Sequence, residues 1–174
     1  MKEISTKNGK LTLEVLGEKH LLSVLELQRR VLDGIEDKTT YFPLTREELL
    51  EGFEKDRVTG VFDADRLVAF SLIISNRCGG LWEKLKEEYH FDELITFDAV
   101  VVDPEYRGLG LQRILLDEAD KEAARRGVRA IAATVSPKNA HSIANFESAG
   151  FVSLREIKAY GGLDRKLMIK RLTK

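Results

Sequence analysis

Apolar residues recur along the chain with two periods, and the points where one gives way to the other mark its elements. Residues 11–16, Leu-Thr-Leu-Glu-Val-Leu, alternate apolar and polar side chains, as a strand with one buried face does. Leu21, Leu22, Leu25, Val31 and Leu32 then recur at roughly helical spacing. After a loop holding Gly34, Asp37 and Pro43, Thr45 and Glu48 form a capping box, in which hydroxyl and carboxylate satisfy free backbone donors, and a helix is predicted over 45–55. Residues 60–62 and 66–75 flank Asp63-Ala64-Asp65, and the second run has the content of a buried strand, so the two predict a hairpin. Residues 76–93 turn polar but carry Trp82, Leu85 and Tyr89 on one face of a short helix, an insertion that either covers a site as a lid or is pinned down by those aromatics.

The second half is more regular. It predicts a strand over 97–102, a helix over 110–126, a strand over 128–135, a helix over 139–149, and two strands, 151–159 and 165–172, joined at Gly161-Gly162. This order predicts an α/β (α+β) fold, a mixed sheet with helices on its faces. The chain shows no repeat, low-complexity tract or Pro/Gly/Ser linker, so residues 1–174 are expected to form one domain.

Composition narrows the functions. With 28 Lys plus Arg against 29 Asp plus Glu, no long-range field gathers nucleic acid or an anionic membrane, and any affinity for phosphate must be local. The only cysteine, Cys78, can form no internal disulfide, and His20, His90 and His141 lack ligand spacing, so no metal and a reducing compartment are expected. The first ten residues lack the basic start and apolar run of a secretory signal, and no run of eighteen apolar residues follows. The expected location is the cytoplasm.

The chemistry concentrates before the helix at 110–126. Asp103-Pro104-Glu105-Tyr106-Arg107-Gly108-Leu109-Gly110 carries the chain from strand to helix through two glycines, whose missing side chains let a ligand reach the backbone amides. Those amides stand at the positive end of a helix dipole and form an anion site. A Walker A loop is excluded because no Gly-Lys-Ser/Thr follows. A Rossmann fingerprint fails at Arg113, where it needs a small residue, and at Val135-Ser136-Pro137, where it needs a carboxylate.

Val102-x-Pro104-x-x-Arg107-Gly108-x-Gly110 ahead of a Leu-rich helix resembles the first motif of the GCN5-related N-acetyltransferase (GNAT) family. Residues 139–151, from Asn139 through Phe146 to Gly150-Phe151, resemble its second motif. Ala133-Thr134-Val135-Ser136-Pro137-Lys138-Asn139 and Tyr160-Gly161-Gly162 further suggest a bacterial subgroup. The resemblance implies the acyl-CoA N-acyltransferase fold, a mostly antiparallel central sheet flanked by helices, with acetyl-CoA as cosubstrate.

It also implies roles for individual residues. The backbone of Val100, Val101 and Val102 would pair with the pantetheine arm. The pyrophosphate would rest on amides of Gly108, Leu109, Gly110, Leu111, Gln112 and Arg113, with Arg107 and Arg113 as countercharges. Gln112 departs from the Gly or Ala usual at its position. Asn139 matches the residue that hydrogen-bonds the cofactor arm, and equally suits a helix N-cap. Phe146 matches a position beside the cofactor where many members carry the tyrosine that protonates the leaving thiolate, and a phenyl ring donates no proton. Water or the hydroxyl of Tyr160 would then serve, unless the step needs no dedicated acid.

Amine acetylation needs a base to free the nucleophile from its proton. Asp98, on the strand face of Val100 and Val102, is a candidate, and its plainer reading is a solvated or ion-paired carboxylate. Glu36 and Asp37, near Asp33, Tyr41 and Phe42, would suit a cationic amine acceptor or stand in solvent. The expected activity is direct acetyl transfer to an amine, with no covalent step at Cys78. The alternative is a catalytically silent CoA-binding sensor or subunit, supported by Phe146 and Gln112. Leu154, Ile157, Leu167, Met168 and Ile169 in the last strands either pair with a second copy, as a homodimer would, or face the core.

Overall fold

The computed structural model describes residues 1–7, 9–75 and 80–172. Among these residues eight strands, β1 (Lys2–Thr6), β2 (Gly9–Val15), β3 (Arg57–Asp63), β4 (Arg66–Ser75), β5 (Leu94–Val102), β6 (Ala130–Val135), β7 (Val152–Ala159) and β8 (Leu163–Arg171), form one sheet. Their hydrogen-bonded order is β1-β2-β3-β4-β5-β6-β8-β7. Among the described residues four α-helices accompany it: α1 (Leu21–Gly34), α2 (Arg46–Lys55), α3 (Leu111–Arg126) and α4 (Ala140–Ser148). This is the expected mixed, mostly antiparallel sheet with flanking helices. No helix among the described residues is long and apolar enough to cross a membrane.

By contact the chain divides into two compact units. The first comprises Met1–Lys38, Pro43–Leu72 and Ala99–Leu115. Its β1 is an element the polar N-terminus does not announce: only Ile4 is buried there, and Lys2↔Leu13 to Thr6↔Gly9 pair as an antiparallel hairpin. The α2 capping box forms as expected, with Thr45 Oγ1 accepting from the Glu48 amide at 3.2 Å and Glu48 Oε2 from the Thr45 amide at 2.7 Å. The third strand starts at Arg57, earlier than expected, and brings Gly60 so close to Leu16 and Leu67 that a Cβ would stand 2.7 and 2.8 Å from their methyl carbons. A residue that looks like a strand breaker is there for lack of room.

The second unit comprises Thr39–Phe42, Ile73–Asp98 and Leu116–Lys174. Within it β5 and β6 run parallel from Leu94↔Ala130 to Phe97↔Ala133, and β6, β8 and β7 are antiparallel. The described part of the insertion holds two 3-10 turns, Gly80–Lys84 and Phe91–Glu93, instead of a helix. Leu85 and Tyr89 are buried against Leu94, Ala132, Leu167 and Ile169, and Trp82 Nε1 donates to the Tyr89 carbonyl at 3.0 Å, so the aromatics pin the segment down. Leu167, Met168 and Ile169 are core residues, with Leu154 and Ile157 packed partly buried against the same cluster. Cys78 lies outside the described residues.

Candidate functional site

The anion loop belongs to the first unit, and its geometry follows from a few local choices. Val101 is buried and Val102 half-buried, so the strand enters the loop with its side chains anchored and its direction set. Pro104–Tyr106 makes one 3-10 turn, with Asp103 as its cap: Oδ1 accepts from the Glu105 amide at 3.1 Å. The chain then passes through Gly108 (φ 73°) and Gly110 (φ 75°), left-handed conformations that a side chain disfavours. Nothing lies within 4 Å of where a Cβ on either would stand, so the loop is open at both glycines. The first turn of α3 closes with the Ile114 amide on the Gly110 carbonyl at 3.1 Å. The amides ahead of Ile114 therefore stand outside the helix's own ladder, at its positive end. Arg107 and Arg113 are exposed beside them, Leu109 and Gln112 are half-buried, and Leu111 is buried and ties the helix to the core. This loop fits a pyrophosphate by its bare backbone, its dipole and its two guanidiniums.

Beneath the loop is a charge network that the sequence reading did not single out. Asp103 is 1% exposed, and its Oδ2 accepts from Arg30 Nε at 3.0 Å and from Arg66 Nη2 at 2.9 Å. Burial by itself would raise the Asp103 carboxyl, but the Glu105 amide and the two guanidiniums outweigh it and hold the group below the usual carboxylate range. Arg30 Nη2 also donates to the Leu67 carbonyl at 2.8 Å, and the Asp103 amide donates to the Val68 carbonyl at 2.9 Å. Arg66 reaches on to Glu105 at 2.6 Å, and the Tyr106 hydroxyl donates to Asp63 at 2.6 Å, which pushes its phenol above the ordinary value. The loop is thus tied to α1 and β4 at its first residue. The available signal was the Asp-Pro pair at the strand end. Arg30 gave none, since in sequence it reads as one more solvated helix position.

The second unit holds most of the remaining candidates. Asp98 is half-buried on β5, one residue beyond the ladder's Phe97↔Ala133 pair. Asn139 caps α4, its Oδ1 accepting from the Ser142 amide at 3.1 Å; among the described residues its Nδ2 has no partner, so the cap leaves that donor to another role. Phe146, expected beside the cofactor, is 2% exposed and edge-on to both Phe97 and Phe151. Its ring is enclosed by protein and serves as a core wedge. Tyr160 sits at φ 50° in the turn between β7 and β8, its hydroxyl 3.0 Å from Thr134 Oγ1, its ring stacked on Phe42 at 5.0 Å. Tyr41 is half-buried, and burial pushes its phenol above the ordinary value. Of the acidic loop residues in the first unit, Glu36 is exposed and Asp37 half-buried. His141 is exposed.

No curated protein matches the sequence. Solved structures do resemble it. The ribosomal-protein-S18-alanine N-acetyltransferase of Escherichia coli superposes with a TM-score of 0.69 at 21% identity, covering 94% of this chain and 95% of its own. The yncA protein of Salmonella typhimurium, solved with its cofactor acetyl-CoA, gives 0.70 at 19% identity over 94% and 95%. Ard1 of Thermoplasma volcanium gives 0.73 at 14% identity over 94% and 99%. At such identities these likenesses speak for the fold. The sequence speaks for more, since the family model described as "Acetyltransferase (GNAT) family" matches residues 23–151, from α1 through both motifs to Phe151. Matched over most of its length, the chain belongs to the GNAT acetyltransferase family.

Proposed function

We propose that the protein is an N-acetyltransferase that moves the acetyl group of acetyl-CoA directly to an amine. The observation that carries the reading is the open, positively polarised loop at Gly108–Gly110, held on a buried ion network at the start of a 16-residue helix. In this reading the amides of residues 108–113 receive the pyrophosphate, and the backbone of Val100, Val101 and Val102, on β5 beyond its ladder with β6, lies along the pantetheine arm. The free Nδ2 of Asn139 supports a hydrogen bond to that arm while its Oδ1 caps α4.

The amine nitrogen attacks the thioester carbonyl, the carbon–sulfur bond breaks, and the thiolate takes up a proton. Asp98 accepts the proton that the amine loses, and the half-buried position of its carboxylate keeps it within reach of solvent. Tyr160 supplies the thiolate's proton through its hydroxyl, with Thr134 Oγ1 as the partner that orients it. With Phe146 sealed in the core, that position offers no acid. The protein acts as one domain in the cytoplasm, with no metal.

Calorimetric titration with acetyl-CoA and with CoA tests the site, repeated on Gly110→Glu, whose side chain would fill the loop and oppose the pyrophosphate. Saturable binding that the variant loses is expected, followed by thiol release across an amine panel. Absence of binding to the wild-type protein would refute the reading; binding without transfer to any amine would leave the silent CoA-binding module.

A further inference from the structure

Arg165 lies on β8 in the second unit, 3% exposed. Its Nη1 donates to the Asp164 carbonyl at 2.8 Å, and the guanidinium carbon stands 5.4 Å from the centre of the Tyr160 ring. The adjoining carboxylate, Asp164, is engaged by Lys158 at 2.5 Å. Among the described residues, Arg165 makes no ion pair, and its Nε and Nη2 have no acceptor. Those two nitrogens are also absent from the polar atoms sealed without a partner, which among the described residues are Arg57 Nε, Thr59 Oγ1 and Ser71 Oγ. The Nε and Nη2 edge of Arg165 is therefore buried but not wholly sealed.

The same edge is occupied elsewhere in the protein. Arg125 uses Nε and Nη2 to grip both oxygens of Glu122, at 2.9 and 2.6 Å. Arg30 places Nε on Asp103 and Nη2 on a carbonyl. A guanidinium drawn out of water without acceptors is costly, and burial pushes the pKa of Arg165 below its ordinary value, though an arginine so far above neutrality stays charged. Its surroundings fit a small organic anion. Tyr160 and Phe42 provide stacked rings, Phe42 being 45% exposed at the rim, and Thr134 Oγ1 lies beside the Tyr160 hydroxyl. Thr134 follows Ala133, the partner of Phe97, and Asp98 follows Phe97 on β5, each one residue beyond the last pair of the ladder.

We infer that Arg165 binds a carboxylate of the acceptor, so that the amine acetylated is a small one that itself carries a carboxylate. Nε and Nη2 donate side-on to the two carboxylate oxygens, a planar match that lysine cannot reproduce. The acceptor's carbon skeleton lies along the exposed rim of the stacked Tyr160–Phe42 pair. The inference rests on the N-acetyltransferase reading and adds the substrate class.

The test uses matched pairs, an α-amino acid and its α-carboxamide, offered to the full chain with acetyl-CoA. Rates are compared per fraction of neutral amine, and binding is read separately as the rise in Tm with CoA present. We expect kcat/KM to favour the acid at least tenfold, chiefly through KM, and the acid alone to raise Tm. Arg165→Gln should erase the preference and Arg165→Lys should keep part of it. The wild-type preference needs no variant, so a failure of Arg165→Gln to fold leaves the test intact. Acids and amides that behave alike in both assays overturn the inference. An acid-specific rise in Tm without acetyl transfer would uphold the anion site and sink the transfer reading; equal transfer to acid and amide with no Tm difference would do the reverse.

Discussion

Arg30 under the glycine loop and Arg165 beside Tyr160 are both arginines drawn into the protein, and they are treated in opposite ways. Arg30 spends its donors on Asp103 and the Leu67 carbonyl, and Asp103 is bonded again by Arg66 and the Glu105 amide. Arg165 has one carbonyl and an aromatic face. A buried charge satisfied by its own protein fixes geometry. One left with an open donor edge carries a free-energy cost that a ligand can relieve. The first unit thus holds a loop that is ready before any ligand arrives, and the second holds a cation whose proposed partner comes from outside.

The strongest way to break that contrast is Asp103→Ala, which leaves two guanidiniums facing a hole and should cost about 3–5 kcal/mol by denaturant titration, with weakened acetyl-CoA binding. An unchanged midpoint would mean that the network does not support the loop. Arg30→Ala should cost about 1–3 kcal/mol, and Arg66→Ala less, because Arg66 is 42% exposed and more readily replaced by water.

Glu122 supplies a third, fully paired case. Hydrogen bonds from Arg125, opposed by burial and aided by Arg126, lower its pKa from 4.5 to about 2. A carboxyl whose folded pKa is depressed contributes stability above its unfolded value and loses it as pH falls through the folded one, here between 4.5 and about 2. Chemical denaturation across that window should show a loss of about 1–2 kcal/mol that Glu122→Gln lacks. The smallest effect is expected at Arg165→Met, which removes an unpaired buried cation and forfeits a ring contact, leaving stability within about 1 kcal/mol of wild type. A loss as large as that of Asp103→Ala would make Arg165 a structural residue.

The legible parts of the fold were those in which local chemistry decides. Thr45 and Glu48 cap α2 because both groups lie within three residues of each other. Gly108 and Gly110 take the left-handed backbone that the strand-to-helix turn needs. The strand β1 was not legible, because only Ile4 faces inward and its pairing with Leu11 comes from the hairpin. The insertion's aromatics carry helical spacing, yet Leu85 and Tyr89 are buried against residues from β5, β6 and β8, and tertiary packing overrode the local period.

The same division holds at the site. By itself the sequence determined the backbone of the glycine loop, since two glycines after Val-x-Pro-x-x-Arg and before a helix specify a left-handed turn there. Tertiary structure alone decided the environments of the charged and aromatic side chains. Arg30 and Asp103 are 73 positions apart yet share a hydrogen bond, Phe146 becomes a core wedge between Phe97 and Phe151, and Arg165 is buried without an ion pair among the described residues. Backbone conformation is set by neighbours a few residues away, whereas burial and the company of a charge depend on which distant strands close around it.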